Sequence, residues 1–289
     1  MHFSRFVLPV FLLLLQATQL SYEQGIEQWQ RTREAALKAE GGWLDVAGLF
    51  WLKPGANTVG TDTANDLVLP KGSAPPNVGR FWFAKGEVIF EPQRGVMATV
   101  NGKPAARQVM KPDASGSPDI LRLGSLTMFA IRRGTRTGVR LKDSNNPARK
   151  NFAGLKYFPT RPSYRVKAKY SPYDPPRKIK INSVLGDTSE DVSPGYLEFD
   201  LGGKHLRLEP LIEDDELFII FRDQTAGRET YPAGRFLYAD LPKSAEVILD
   251  FNKAINPPCA FTPYTTCPLP PPQNRLAIRI EAGELRYGH

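Results

Sequence analysis

Apolar and polar positions alternate with a period of two through most of this chain, and one early stretch departs from that rhythm toward helical spacing. Residues 23–38 carry Ile26, Trp29, Arg33, Ala36 and Leu37 at helical intervals, with Gly41-Gly42 just beyond as a stop, which predicts a single amphipathic helix. After it, residues 67–69, 80–83, 87–90, 97–100, 126–131 and 138–141 form short runs punctuated by Gly, Pro, Asn and Asp. Many short strands separated by turn residues predict an antiparallel sandwich or barrel. Asn101-Gly102 is a strong hairpin signal, because both residues readily adopt φ > 0.

Residues 143–162 interrupt the pattern with Asn145-Asn-Pro147 and Phe158-Pro-Thr-Arg-Pro162 and read as a connector. A second series of strands follows at 164–170, 178–181, 195–201, 204–210, 217–222, 235–239, 247–251 and 276–281. The predicted fold class is therefore mostly β, an N-terminal helix followed by a β-sandwich and a second antiparallel unit, itself a sandwich or barrel. The boundaries are 1–21 for a signal peptide, 22–42 for the helix, 43–142 for the first β unit, 143–162 for the connector and 163–289 for the second.

The signal peptide is read from His2 and Arg5 ahead of an apolar run over 6–15, with Ala17 as the first small residue for cleavage. That run is too short for a membrane span, which needs about 20 residues, and no cysteine lies near the cleavage site to carry a lipid. The expected location is periplasmic or secreted, with no transmembrane segment after cleavage. Hydrophobic residues at 41% and aromatics at 10% are enough for a packed core. In an oxidising compartment the two cysteines, Cys259 and Cys267, are expected to form a disulfide.

Net charge is +8, and its distribution is more informative than its sum. From Arg132 to Lys180 there are 15 Lys and Arg against Asp143 and Asp174, whereas Asp187 to Glu216 holds ten acids against Lys204 and Arg207. The two blocks either face each other or the basic one attracts anions. Beyond the cytoplasm such anions are small molecules, glycans or lipid headgroups, and nucleic acid is not expected.

Histidine is nearly absent: His2 belongs to the leader, His289 is the last residue, and His205 sits mid-strand. That argues against a histidine-based triad or zinc site, C-x7-C is not a zinc spacing, and no P-loop or other cofactor motif is present. No metal or cofactor is implied. The densest candidate chemistry surrounds a proline-locked loop, residues 257–272, that contains both cysteines. Arg222 and Asp223 end an apolar strand, Thr225 lies in the following turn, and Tyr231 leads to Arg235; Asp250, Asn252, Asn256, Asn274 and Arg275 bracket the loop. Arginines grip carboxylate or phosphate while Tyr and Asn select hydroxyls. The same residues also suit a structural hydrogen-bond network that pins the loop.

Two resemblances rest on particular residues. Asn57-Thr-Val-Gly60-Thr61-Asp62, Asn65-Asp-Leu-Val-Leu-Pro70, Asn101-Gly102 and Leu121-Arg-Leu-Gly124-Ser125 resemble a forkhead-associated β-sandwich over residues 43–142. That family places Arg after the first Gly and a Ser with a nearby His at its phosphothreonine site. Here the first position is Thr61 and the later segment reads Pro76-Asn-Val-Gly79-Arg80, so the resemblance implies the fold without the phosphothreonine site. Gly48-Leu-Phe-Trp-Leu52, Arg140-Leu-Lys-Asp143, Pro147-Ala-Arg149-Lys-Asn-Phe152, Tyr173-Asp-Pro-Pro176, Phe221-Arg-Asp-Gln-Thr-Ala-Gly227, Gly234-Arg-Phe-Leu-Tyr-Ala-Asp240 and Phe251-Asn-Lys-Ala-Ile-Asn-Pro-Pro-Cys259 together resemble a bacterial family, domain of unknown function 1684. That resemblance spans nearly the whole chain after the leader and implies no reaction, cofactor or catalytic residue.

The leading expectation is non-covalent binding of an anionic or polyhydroxylated ligand at the second β unit, beside the Cys-Pro loop. A hydrolase using Asp223, Glu229 or Asp250 at the same rim, and a protein-interaction scaffold built on the first unit, stand as alternatives.

Overall fold

In the computed structural model residues 20–288 are described. The apolar run at 6–15 lies outside them, and all but the last two residues of the expected signal segment fall beyond this description. Helix α1 (Tyr22–Lys38) begins at a capping box in which Ser21 Oγ accepts the Gln24 N–H and Gln24 Oε1 accepts the Ser21 N–H. Its buried residues Ile26 and Leu37 face the body of the protein, as the spacing predicted. Two ties from its polar side fix it to the second β unit: Tyr22 Oη donates to Asp250 at 2.9 Å, and Arg33 pairs with Glu284 at 3.0 Å.

The first β unit is a two-sheet sandwich. Its strands are β1 (Val46–Trp51), β2 (Gly55–Gly60), β3 (Leu67–Val68), β4 (Gly79–Ala84), β5 (Glu87–Pro92), β6 (Thr99–Val100), β7 (Lys103–Pro104), β8 (Gln108–Val109), β9 (Leu121–Leu123), β10 (Leu126–Arg133) and β11 (Arg136–Asp143). One sheet runs β1-β11-β10-β9-β6-β7, the other β3-β2-β4-β5-β8, and Val59, Phe81, Phe90, Leu121 and Leu141 fill the core between them. The Asn101-Gly102 turn joins β6 to β7 with φ of 51° and 78°, as expected for a two-residue hairpin. Gly60 is required by close approach, since a Cβ there would sit 2.0 Å from the Pro76 carbonyl oxygen.

The second β unit contains β12 (Arg165–Asn182), β13 (Thr188–Leu201), β14 (Lys204–Leu208), β15 (Leu211–Glu213), β16 (Glu216–Phe221), β17 (Arg235–Asp240) and β18 (Glu246–Asp250). Two strands expected at 164–170 and 178–181 are one long β12, whose register shifts between Pro172 and Arg177 as the proline-rich stretch passes. The basic and acidic blocks meet here as neighbours across the β12–β13 hairpin, with Lys180 opposite Glu190 and Lys169 opposite Glu198.

Sheet β14-β13-β12-β18 packs against sheet β15-β16-β17, and Leu197, Phe199, Leu217, Ile219, Phe221 and Leu249 belong to the core between them. Strand β16 is buried on both faces: Phe218 and Ile220 point the other way, into a cluster with Phe236 and Cys267 under the Cys-Pro loop. The strand expected at 276–281 alternates buried with exposed residues up to Ile280, yet it bends at residues 277–278 and forms no ladder. Leu276 N–H donates to the Arg222 carbonyl and Gln224 N–H to the Ile278 carbonyl, but Ile280 N–H is taken by the Asp223 carboxylate at 2.7 Å. A side chain thus replaces the next backbone rung.

Candidate functional site

The residues expected at the rim are distributed over three environments. Asp223 and Arg235 form a salt bridge at 3.2 Å with both side chains 1% exposed. Asp223 also accepts from Thr225 Oγ1 and Ile280 N–H, while Arg235 donates to the Ile280 and Ala282 carbonyls. Asn274 clamps the Glu209 amide and carbonyl and the Ile220 carbonyl. Asp250 and Asn252 hold Tyr22 and the Arg161 backbone, and Tyr231 Oη donates to the Cys259 carbonyl. These contacts tie down the C-terminal segment, α1 and the loop. Arg222 and Arg275 lie apart on an exposed depression beside Arg228 and Arg279. Asn256 alone faces the cavity described below.

The expected disulfide is corrected by the structure, in which both cysteines are free thiols. The loop turns Cys267 Sγ toward the Cys259 backbone, whose N–H it accepts at 3.1 Å, and toward Thr265 Oγ1 at 3.6 Å. The loop's shape is held by other ties: Arg133 Nε donates to Thr266 Oγ1 at 3.0 Å, and Thr262 Oγ1 donates to the Val46 carbonyl at 3.2 Å. Hydrogen bonding from Cys259 lowers the Cys267 pKa and raises that of Cys259, so Cys267 is the first of the pair to ionise.

Between the sandwich, α1 and the Cys-Pro loop lies a cavity of about 450 Å³. Strands β10 and β11 contribute Arg133 and Arg140, α1 contributes Arg33, and β16 and β17 supply an aromatic wall. In that wall Phe218 meets Phe236 edge-on at 4.9 Å and stacks on Tyr238 at 5.1 Å. Tyr238 Oη in turn donates to Glu213 at 2.8 Å. A second hollow of about 530 Å³ adjoins it and shares Arg133, Glu213, Phe218, Thr266 and Pro268.

The three arginines are not equivalent. Arg133 is committed to Asp113 at 2.7 Å, to Thr266 and to the Arg132 carbonyl, and Arg33 to Glu284. Arg140 is 4% exposed, and its Nε and Nη2 are sealed from solvent with no partner. Its guanidinium lies 5.6 Å from the Trp43 ring centroid. Burial first, and then repulsion from Arg133, push its pKa down to about 10, while Asp113 and Cys267 oppose the shift. Nearly all buried polar groups in folded proteins find a partner, and a buried charge without one is costly.

One acceptor on the same cavity is also unmatched. Asn256, 0% exposed, donates through Nδ2 to the Leu285 carbonyl and through its backbone N–H to Glu284, which leaves Oδ1 bare. Sequence reasoning included Asn256 but missed Arg140, Trp43 and Glu213 as site residues. The local signal for Arg140 was its place in the Arg140-Leu-Lys-Asp143 motif; alternation puts it on the face of β11 opposite Val139 and Leu141, and its burial there comes from the tertiary packing.

Two β units joined by a helix and a proline-rich loop, with an unneutralised guanidinium in the cleft between them, define the class of this protein. A model described as "Protein of unknown function (DUF1684)" matches residues 150–285, and the chain belongs to that family. The match takes in the second β unit and the Cys-Pro loop; Gly48-Leu-Phe-Trp-Leu52 and Arg140-Leu-Lys-Asp143 precede it. An uncharacterised protein of Haloarcula marismortui, solved by solution NMR, is 35% identical over 49% of this chain and 81% of that one, with a TM-score of 0.41. Two FHA-domain structures are similar to the N-terminal part at 14% identity and a TM-score of 0.24. One comes from work on phosphothreonine-dependent FHA interactions, the other is the FhaA FHA domain complexed with a partner's intracellular domain; 32% of this chain covers 92% and 97% of them, respectively. Curated proteins yield no match.

Proposed function

We propose that this protein is exported and binds an anionic ligand non-covalently in the cleft walled by the Cys-Pro loop of its second β unit and by Arg140 of its first. One observation carries the reading, the buried Arg140 guanidinium with Nε and Nη2 unpartnered. Those two nitrogens form one edge of the guanidinium, the geometry that takes two oxygens of a carboxylate or phosphate side by side. An anion there neutralises the charge and satisfies both donors at once. Binding is favoured over hydrolysis because none of the carboxylates considered for acid-base work lines this cavity: Asp223 is held by Arg235, Thr225 and Ile280, Asp250 by Tyr22 and Asn252, and Glu229 by Arg279 through Oε1, its Oε2 being without a partner.

Thermal unfolding in the presence of phosphate, acetate and citrate, for wild type and Arg140→Met, tests the site. At least one anion is expected to raise the wild-type melting temperature and leave Arg140→Met unmoved. Absence of any wild-type response, or an equal response in the variant, sinks the reading. Export is tested separately by fractionating cells that express the full chain, where recovery only in the cytoplasm contradicts it.

A further inference from the structure

We infer that the ligand of this cleft is a hydroxylated carboxylate of the sugar-acid kind, an acidic saccharide longer than one ring, an inference that rests on the anion-binding reading above. A bare phosphate or sulfate satisfies the donors of Arg140 and leaves Asn256 Oδ1 as a buried acceptor without a proton to accept. Glu213, on the same wall, adds a carboxylate that repels a second negative charge and welcomes donors. The ligand must therefore present acceptor oxygens toward Arg140 and hydroxyl or ammonium protons toward Asn256 and Glu213.

The surroundings separate those two kinds of donor. Arg33 is neutralised by Glu284 and Arg133 by Asp113, so Arg140 is the cation on this cavity left to receive acceptor oxygens, and one negative charge on the ligand matches it. The Phe218–Tyr238 wall offers flat apolar surface to the C–H face of a pyranose ring. Past the shared residues, the adjoining hollow is lined by Asn182, Ser183, Thr188 and Ser189 and by the carboxylates Asp187 and Asp191, groups that take hydroxyl donors and disfavour a second negative charge. At about 450 and 530 Å³ the two spaces lie within the range of ordinary ligand sites, and each has room for more than one group of atoms of ring size. A carboxylate at Arg140 and a saccharide running toward β13 use both.

The test is calorimetric titration of the full chain with glucuronic acid, galacturonic acid and aldobiuronic acids, which join one uronate to a neutral sugar, with glucose, glutamate, acetate and inorganic phosphate as comparisons. The aldobiuronic acids are expected to bind more tightly than the single uronic acids, and glucose not at all. Arg140→Met should abolish uronate binding. Glu213→Gln, an exposed position that keeps an oxygen for Tyr238, should weaken uronate binding about tenfold, the effect of losing one charged hydrogen bond, and leave phosphate no weaker. If phosphate binds through Arg140 while uronates bind no better than acetate, the sugar-acid inference fails and the anion site stands. Tighter binding of glutamate than of any uronate also overturns it, and failure of every anion removes both readings.

Discussion

Asp223 and Arg235 are paired at 3.2 Å across adjacent strand ends, each side chain 1% exposed. The pair links the end of β16 to β17 and to the backbone of residues 280–282. Removing Asp223 alone leaves the guanidinium buried and unpaired, a change that costs about 3–5 kcal/mol. Denaturant unfolding of Asp223→Ala checks this, and a loss below about 1 kcal/mol, the scale of an exposed pair, would contradict a structural role.

Arg140 is the opposite case. It gives up no hydrogen bond on substitution, so Arg140→Met is expected to match or exceed wild-type stability, by up to about 2 kcal/mol, because an unmatched buried charge is replaced by an apolar chain. A melting temperature well below wild type would show that the guanidinium has a partner within the fold.

Cys259 and Cys267 are free thiols, so iodoacetamide added to denatured, unreduced protein should label both. In the folded protein Cys267, only 4% exposed, should be labelled more slowly than in the denatured protein. Intact-mass analysis showing no label before reduction would refute the free-thiol state.

Asp66 accepts the Thr58 N–H at 3.0 Å and its hydroxyl at 3.1 Å, which hold its carboxyl below the ordinary 3.8. A folded pKa below the unfolded one contributes stability above pH 3.8 that is lost as the pH falls through the folded value. In an NMR titration Thr58→Val should move the Asp66 midpoint upward toward the ordinary value. A wild-type midpoint at or above it would overturn the assignment.

Lys167 and Glu246 lie 3.5 Å apart on the exposed face of β12 and β18, with side chains 72% and 63% exposed. Exposed pairs contribute about 0–1 kcal/mol. Lys167→Ser together with Lys169→Ser should leave the unfolding midpoint nearly unchanged; a large fall would mean that the basic block carries part of the core's stability.

Much of this protein is written in local chemistry. The helical spacing of Ile26, Trp29, Arg33 and Leu37, the Asn101-Gly102 turn and the two-residue alternation of the strands depend on neighbours in sequence. The helix and the turn appear where the chain predicts them, as do most of the strands, with 276–281 expected but forming no ladder and β1 and β2 formed without having been expected. The apolar run ending at Phe221 likewise announced a strand buried on both faces. What the chain could not disclose is which polar side chains meet. Arg222 and Asp223 are adjacent in sequence, yet one faces solvent and the other the interior, and the partner of Asp223 lies at Arg235. Arg140, Asn256 and Glu213 come together only because the sandwich, the Cys-Pro loop and the β15–β17 sheet close around one cavity. Even the cysteines, close enough in sequence to suggest a bond, are directed by the folded loop to a backbone amide instead. Backbone periodicity is set by short-range sterics and burial, which a sequence carries; the pairing of buried charges is a long-range choice made when distant segments lose water together.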